Sequence, residues 1–257
     1  MAASQSRRLD GAASAKVSAS PAPEQQHSLP ADVESWPAQR VVEHVLSEFP
    51  GRVALACSFQ KEESVLLDML FELEPDPRVF AIDTHHLFPE TYELWREVER
   101  RYGITIESFE GAAVEDELWN TNPDLYLAIA KTEPLSRALL DLDGWITGIR
   151  RDQSPTRAGA RKLGWDEQHE LWKANPIADW TDDDCWAYIR ERELPYNKLH
   201  DRGYDSIGDA HSTVPGKGRE GRWAGTERTE CGLHTGVGST EPATSGGAGM
   251  DGAGADK

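Results

Sequence analysis

Four short stretches of the chain hold residue types that could do chemistry. The first is Ser58-Phe-Gln-Lys-Glu-Glu-Ser64, which directly follows an apolar run. Two hydroxyls flank a turn that opens a helix, so backbone N–H groups at the positive end of a helix dipole would face an anion. The Gly-Lys-Ser/Thr ending of a P-loop is missing, and a plain helix cap is the simpler role. The second stretch is Asp83-Thr-His-His-Leu-Phe-Pro-Glu-Thr-Tyr92. Adjacent histidines invite a zinc reading, but neighbours in extended chain point apart and no further ligand is near in sequence, which favours a loop role. The third is Thr147-Gly-Ile-Arg-Arg-Asp-Gln-Ser-Pro-Thr-Arg157. From Lys131 to Lys162 there are seven cations and four anions, 7 − 4 = +3. Arginine offers forked donors to phosphate-like groups, so this reversal of sign suits an anionic ligand; the plainer reading is a solvated face.

The fourth stretch, Gly218 to His234, joins Lys217, Arg219, Arg222 and Arg228 to Cys231 among glycines. The chain has three cysteines, at 57, 185 and 231. They form no Cys-x-x-Cys pair and no disulfide framework. Cys57 ends an apolar run and reads as a small core residue. Cys185 follows Thr181-Asp-Asp-Asp, a helix start capped by Thr181, and shares a face with Ile189, so it too should be buried. Cys231 lies near Arg228 and His234, where positive charge favours thiolate, and is the candidate nucleophile.

The elements that must position these groups alternate. Val53–Cys57, Val79–Ile82, Ile104–Phe109 and Trp145–Ile149 read as buried strands. Between them, helical patterns cover Glu63–Leu73, Pro89–Tyr102 and a stretch around Pro123–Leu142, after an earlier helix over Pro37–Phe49. This order predicts an α/β fold, a mostly parallel sheet with helices on both faces. Ligands of such sheets bind beyond the carboxyl ends of the strands, where the first three stretches lie.

The 257-residue chain carries a formal charge of −18, which opposes general binding to nucleic acid or anionic membranes. No apolar run approaches the roughly 20 residues of a membrane-spanning helix. Reduced cysteines and solubility predict a cytoplasmic protein. Residues 1–30 hold seven Ala, six Ser and three Pro and read as a disordered leader, with a transit peptide as the alternative. Residues 235–257 hold seven glycines and read as a disordered tail. The expected folded unit is a single domain over 31–234, with 214–234 a mobile catalytic segment.

The stretches SFQKEESVLLDML, IDTHHLFPETYELWREVERRYG, AKTEPLSRAL, GIRRDQSPTRA, NPIADWTDDD, LPYNKLHDRGYDSIGD and RTECGLH together resemble the assimilatory adenylyl-sulfate/phosphoadenylyl-sulfate reductase family. The resemblance covers essentially all of residues 40–235 and implies an adenine-nucleotide α-hydrolase-like fold. In it, Ser58–Ser64 stands where related ATP pyrophosphatases hold a pyrophosphate loop. The substrate-binding residues expected are Ser58, Ser64, Lys131, Arg150, Arg151, Arg219 and Arg222, with Cys231 catalytic. Members with an iron–sulfur cluster carry Cys-Cys where this chain has Tyr126-Leu127, and Cys-x-x-Cys where it has Asp209-Ala210-His211-Ser212. No cluster and no other metal is therefore expected.

The activity implied is reduction of 3′-phosphoadenylyl sulfate to sulfite through an S-sulfonate on Cys231, with reduced thioredoxin (or glutaredoxin) as the external dithiol. Adenylyl sulfate is the alternative substrate, because SFQKEE and GRWAG resemble the branch that uses it. The choice of the 3′-phosphorylated substrate rests partly on a surplus of cations: Lys61, Arg151, Arg157, Arg161 and Lys162. More remote alternatives are an ATP pyrophosphatase or adenylyltransferase on the same fold, and a non-catalytic nucleotide binder. The small-molecule nucleotide and the dithiol protein are the expected partners, and a homodimer is left open.

Overall fold

The computed structural model describes residues 29–115, 117–224, 226, 230 and 233. The expectations for residues 1–28, for Cys231 and for residues 234–257 fall outside them. After α1 (Ala38–Glu48), β1 (Val53–Ala56) leads into α2 (Lys61–Leu73), then β2 (Arg78–Asp83), α3 (Pro89–Tyr102) and β3 (Glu107–Glu110). Two short helices, α4 (Glu117–Thr121) and α5 (Pro123–Leu127), run through a π-helical turn, Ala128–Thr132, into α6 (Glu133–Leu139). Then come β4 (Gly144–Ile146), the hairpin β5 (Leu163–Asp166) and β6 (Leu171–Ala174), and α7 (Asp182–Glu191).

The six strands form one sheet in the order β3-β2-β1-β4-β6-β5. All pairs are parallel except β5 with β6. Strand residues alternate between two cores, as the period of two requires. Val53, Leu55, Val79, Ala81 and Ile146 pack with Val41, Val45, Leu66, Leu70 and Leu94 of α1, α2 and α3. Ala54, Phe80 and Trp145 pack on the opposite face with Leu135, Ala138 and Leu139 of α6. Helices thus cover both faces, and no described helix is long and apolar enough to cross a membrane.

The expected helix over Pro89–Tyr102 has those bounds, with Pro89 in its first turn and Gly103 in the left-handed conformation (φ 69°) behind it. The helix expected around Pro123–Leu142 is instead interrupted by the π turn. Pro134 lacks the N–H that an unbroken α-helix would send to the Ala130 carbonyl, and the Glu133 N–H reaches back to Ala128 instead. The β5–β6 hairpin was not anticipated. It joins the sheet as an antiparallel edge and buries Leu163, Leu171 and Trp172.

The chain leaves β1 for β2 and β3 on one side, then returns to β4 on the other. That reversal opens a crevice beyond β1 and β4. Here α2 starts unusually close to the strand-end backbone. A Cβ on Gly148 would lie 2.6 Å from the Cβ of Glu62 and 2.5 Å from Oε1 of Glu63. Gly148→Ala is expected to lower stability by about 1–3 kcal/mol, the usual cost of forcing atoms into a filled space. Gly164, whose added Cβ would meet only Arg161 atoms at ordinary contact distance, is the control. Urea denaturation of the two alanine variants checks this, and equal midpoints would refute it.

Candidate active site

The turn after β1 is built from strain and hydrogen bonds. Phe59 has a positive φ of 58°, costly for a bulky residue, and its buried ring stacks on Trp95 at 4.9 Å between centroids. This conformation swings Ser58 and Gln60 around the start of α2. Glu63 accepts from Ser58 Oγ at 2.7 Å and from the Gln60 backbone N–H at 3.2 Å. The Gln60 side-chain oxygen accepts from Ser206 Oγ and the Ile207 N–H, docking the 205–209 loop onto the turn.

Glu62, one residue earlier, is buried against Arg150 from the loop after β4. Arg150 Nε and Nη2 donate to Glu62 Oε1 at 3.0 and 2.9 Å, and Nη2 also reaches Asp182 at 3.0 Å. Lys61, equally buried, pairs with Asp182 at 2.9 Å and donates to the Asp205 carbonyl. Burial opposes ionisation of Glu62, but Lys61 and Arg150 outweigh it and hold its carboxyl below the ordinary range. Glu63 has no cation of its own. Burial, reinforced by the charge of Glu62, raises it to about 7.

A cavity opens between this turn and the ends of β2 and β4. Ser58, Gln60, Thr84, Thr147, Gln153 and Asp209 line it, with the cations Lys131, Arg157, Arg219 and Arg222. Lys131 Nζ lies 2.7 Å from Asp209 Oδ2. Arg222 donates to the Ile207 carbonyl and packs over Trp223, and its guanidinium would sit 2.6 Å from any Cβ at Gly208. Only glycine at 208 lets that plane lie flat on the loop. Arg157 and Arg219 both reach Glu230 Oε2 at 2.9 Å. Ser154 and Thr156 donate to the other oxygen of Glu230. Leu233 also lines the cavity, and Glu230, on the other side of Cys231 in sequence, is tied to two of its lining arginines.

Of the residues expected to bind substrate, Ser58, Lys131, Arg219 and Arg222 meet in this cavity. Arg150 lines an adjoining polar cavity with Lys61 and Asp182. Ser64 is buried within α2, and Arg151 turns away to Glu34 and the Ala160 carbonyl. Arg157, expected only among the surplus cations, lines the cavity together with Gln153 and Asp209, which were not expected there. Arg157 stood in the same cationic stretch, whereas nothing local marked Asp209.

The cations read as surplus all have partners. Arg151 and Arg161 share Glu34, Lys162 is buried on Asp179 and the Trp36 carbonyl, Lys61 holds Asp182, and Arg157 holds Glu230. Cys57 and Cys185 are buried as expected, and burial raises both thiols. His85 faces Glu110, while His86 packs by Tyr126 and His211; among the described residues no group of three metal-ligating side chains converges. Where the cluster-bearing pattern has thiolates, Tyr126 donates to Asp209 at 3.2 Å and Ser212 is buried. These residues do not fit an iron–sulfur cluster, which needs thiolate ligands.

A cation-lined crevice at the switch point of a parallel sheet, beside a strained strand–turn–helix, defines a nucleotide-binding α/β protein of the adenine-nucleotide α-hydrolase type. A *Candida glabrata* FMN adenylyltransferase in complex with FAD and inorganic pyrophosphate shares the fold, with TM-score 0.54 and 15% identity over 69% of this chain and 64% of that one. The chain belongs to the phosphoadenosine phosphosulfate reductase domain family, whose model matches residues 52–215. It is 44% identical over 196 residues to adenosine 5′-phosphosulfate reductase 2 of *Bacillus subtilis*, covering 71% of this chain and 83% of that protein. The phosphoadenylyl-sulfate reductase of *Candida auris*, solved as a phosphate complex, matches with TM-score 0.64 and 32% identity over 73% of this chain and 99% of that chain. The chain is thus an oxidoreductase of the sulfate-reducing adenylyl-sulfate/phosphoadenylyl-sulfate type.

Glu63 gives the site a measurable pH dependence. Its carboxyl titrates at about 7 folded against 4.5 for the free side chain, so the folded state binds the proton more tightly. Stability should therefore fall as pH rises from 4.5 to 7, with the cost complete above 7. Glu63→Gln keeps an acceptor for Ser58 and removes the titration. Urea midpoints across pH 5–8 should show the variant gaining up to about 3 kcal/mol on the wild type. Parallel profiles would count against the burial argument.

Proposed function

We propose that the chain reduces adenylyl sulfate to sulfite with Cys231 as nucleophile and a thioredoxin-type dithiol as reductant. The observation that carries this reading is the cavity itself. In a chain of charge −18 it gathers Lys131, Arg157, Arg219 and Arg222, and of the RTECGLH stretch Leu233 lines it while Glu230 holds Arg157 and Arg219.

In the first step the Cys231 thiolate attacks the sulfonate sulfur. An S–S bond forms, the S–O bond to the phosphate breaks, and adenosine 5′-phosphate leaves with that electron pair. Cations at the cavity stabilise charge gathering on the leaving phosphate. In the second step a donor thiolate attacks Cys231 Sγ and sulfite departs. The donor's second thiol then releases Cys231 and closes the donor disulfide, which accounts for the two electrons. Cys57 and Cys185 are buried, which supports an external donor over a resolving cysteine among the described residues.

Adenylyl sulfate is favoured over the 3′-phosphorylated nucleotide, the substrate expected first, for a physical reason. A 3′-phosphate brings roughly −1.5 to −2 charges and needs cations to receive them. Of the five cations held in reserve for it, only Arg157 lines the cavity; Arg151 and Arg161 turn to Glu34, Lys162 is buried on Asp179, and Lys61 holds Asp182. The *Bacillus subtilis* relative's name agrees with this reading. The second reading, 3′-phosphoadenylyl sulfate, is favoured by the match to the *Candida auris* enzyme.

Cys231→Ser should lose sulfite release by on the order of 1,000-fold or more while still binding adenosine 5′-phosphate. Cys57→Ala and Cys185→Ala should retain turnover. Mass spectrometry of wild type with substrate and no donor should find one sulfonate on Cys231. Turnover by the serine variant would end the covalent reading. With one donor at one salt concentration, kcat/KM for adenylyl sulfate should exceed that for its 3′-phosphate by about tenfold or more, the worth of one charge-assisted hydrogen bond. The reverse ratio would establish the second reading.

A further inference from the structure

Three side chains from two separate parts of the fold converge on one buried carboxylate. Asp209, 1% exposed, accepts from Thr84 Oγ1 at 2.8 Å and from the Tyr126 hydroxyl at 3.2 Å, and it pairs with Lys131 Nζ at 2.7 Å. Thr84 follows β2, Tyr126 lies in α5 and Lys131 in the π turn. In a regular α-helix, residues five apart point roughly 140° away from each other. The π turn carries hydrogen bonds five residues apart, so Tyr126 and Lys131 can approach the same oxygen, Oδ2. The irregularity therefore has a local consequence: it brings one neutral donor and one cation to a single acceptor.

A buried ion pair is a weak means of stabilisation, since an apolar replacement of similar volume often serves as well. Its merit lies in fixing a direction. Thr84 and Tyr126 orient the Asp209 carboxylate without help from any ligand. That carboxylate then holds the end of a flexible four-carbon side chain, Lys131, at the cavity wall. An ammonium has three N–H bonds, so the one directed at Asp209 leaves others for an incoming oxyanion.

We propose that Asp209 is a positioning residue that acts through Lys131, with Tyr126 and Thr84 as its supports. It sets the ammonium against the developing charge of the leaving phosphate. The role rests on the reductase reading above and adds to it a residue that does not itself react.

A double-mutant cycle tests the role. Lys131→Gln is expected to lower kcat for sulfite release by about 100-fold, the scale seen when one transition-state donor is lost. Asp209→Asn keeps acceptors and donors for Thr84 and Tyr126 but loses the charge. It should lower kcat at least about tenfold with KM within about threefold, and the double variant should be no worse than Lys131→Gln by more than about threefold. Multiplied losses would overturn the proposal, because a structural role would act independently of Lys131. Should Asp209→Asn fail to fold, Tyr126→Phe replaces it: a fall of about two- to fivefold, absent in the Lys131→Gln background, is expected, and a fall of equal size in both backgrounds refutes it. The same cycle is run on the dissociation constant of adenosine 5′-phosphate. If wild type releases no sulfite, the reductase reading fails by itself, and coupled or independent losses of affinity still decide for or against Asp209.

Discussion

The site depends on a buried charge pair, Glu62 with Arg150. Glu62 opens α2, Arg150 follows β4, and Asp182 at the start of α7 completes the contact with help from Lys61. Three elements that meet nowhere in sequence are tied at one point, directly behind the crevice. Removing one partner of such a pair leaves a bare charge in a dry setting, which costs roughly 3–5 kcal/mol. The pair also explains why Gly148 must be glycine: α2 comes close enough for Glu62 to reach Arg150 only where the strand-end backbone carries no side chain. Arg150 thus serves the cavity from behind, through Glu62 at its wall.

The same logic of paired charge runs through the cavity. Each described cation around it is held by carboxylates or carbonyls: Lys131 by Asp209, Arg157 and Arg219 by Glu230, Arg222 by the Ile207 carbonyl. In a chain this acidic, carboxylates are abundant, and arginines left without them would draw in whichever neighbour could reach. Paired cations are fixed in place, and fixed dipoles and charges stabilise a reacting group without reorganising. The cost is that their charge is partly spent. This limits how much further negative charge the site can accept.

Much of the fold was legible in the sequence because β1, β2 and β4 are short apolar runs and the helices have clear starts; the third expected strand, Ile104–Phe109, instead forms as Glu107–Glu110 and is mostly exposed, because it is the sheet edge. Thr181 caps α7 through the Asp184 N–H as read, and Cys185 and Ile189 are both buried on one face. The β5–β6 hairpin was illegible because its strands, LGWD and LWKA, mix glycine, charge and tryptophan, and their burial comes from the sheet edge they join. Arg150 and Arg151 show the limit for the site. Adjacent in sequence and alike in chemistry, one is buried on Glu62 and the other turned out to Glu34, a difference set by residues far away in the chain. Asp209 carried no local signal for the same reason: its partners are 78 to 125 positions distant or arrive through a π turn.

The wall around Asp209 shows how one location can be built from different materials. The resemblance places cluster thiolates at Tyr126-Leu127 and at Asp209 to Ser212, two stretches remote in sequence. In this chain the two stretches still touch, through the Tyr126 hydroxyl and Asp209. Trp119 stacks on His211 with planes 11° apart, and Tyr126 meets both rings edge-on, so aromatic area fills the space that polar contacts do not. Aromatic packing gives the wall bulk and rigidity, but it supplies no charge toward the cavity. Charge enters through the Asp209–Lys131 pair, both members of which line the cavity. A wall that is apolar around one oriented ion pair concentrates the field of that pair, because little polarisable solvent lies behind it to screen it.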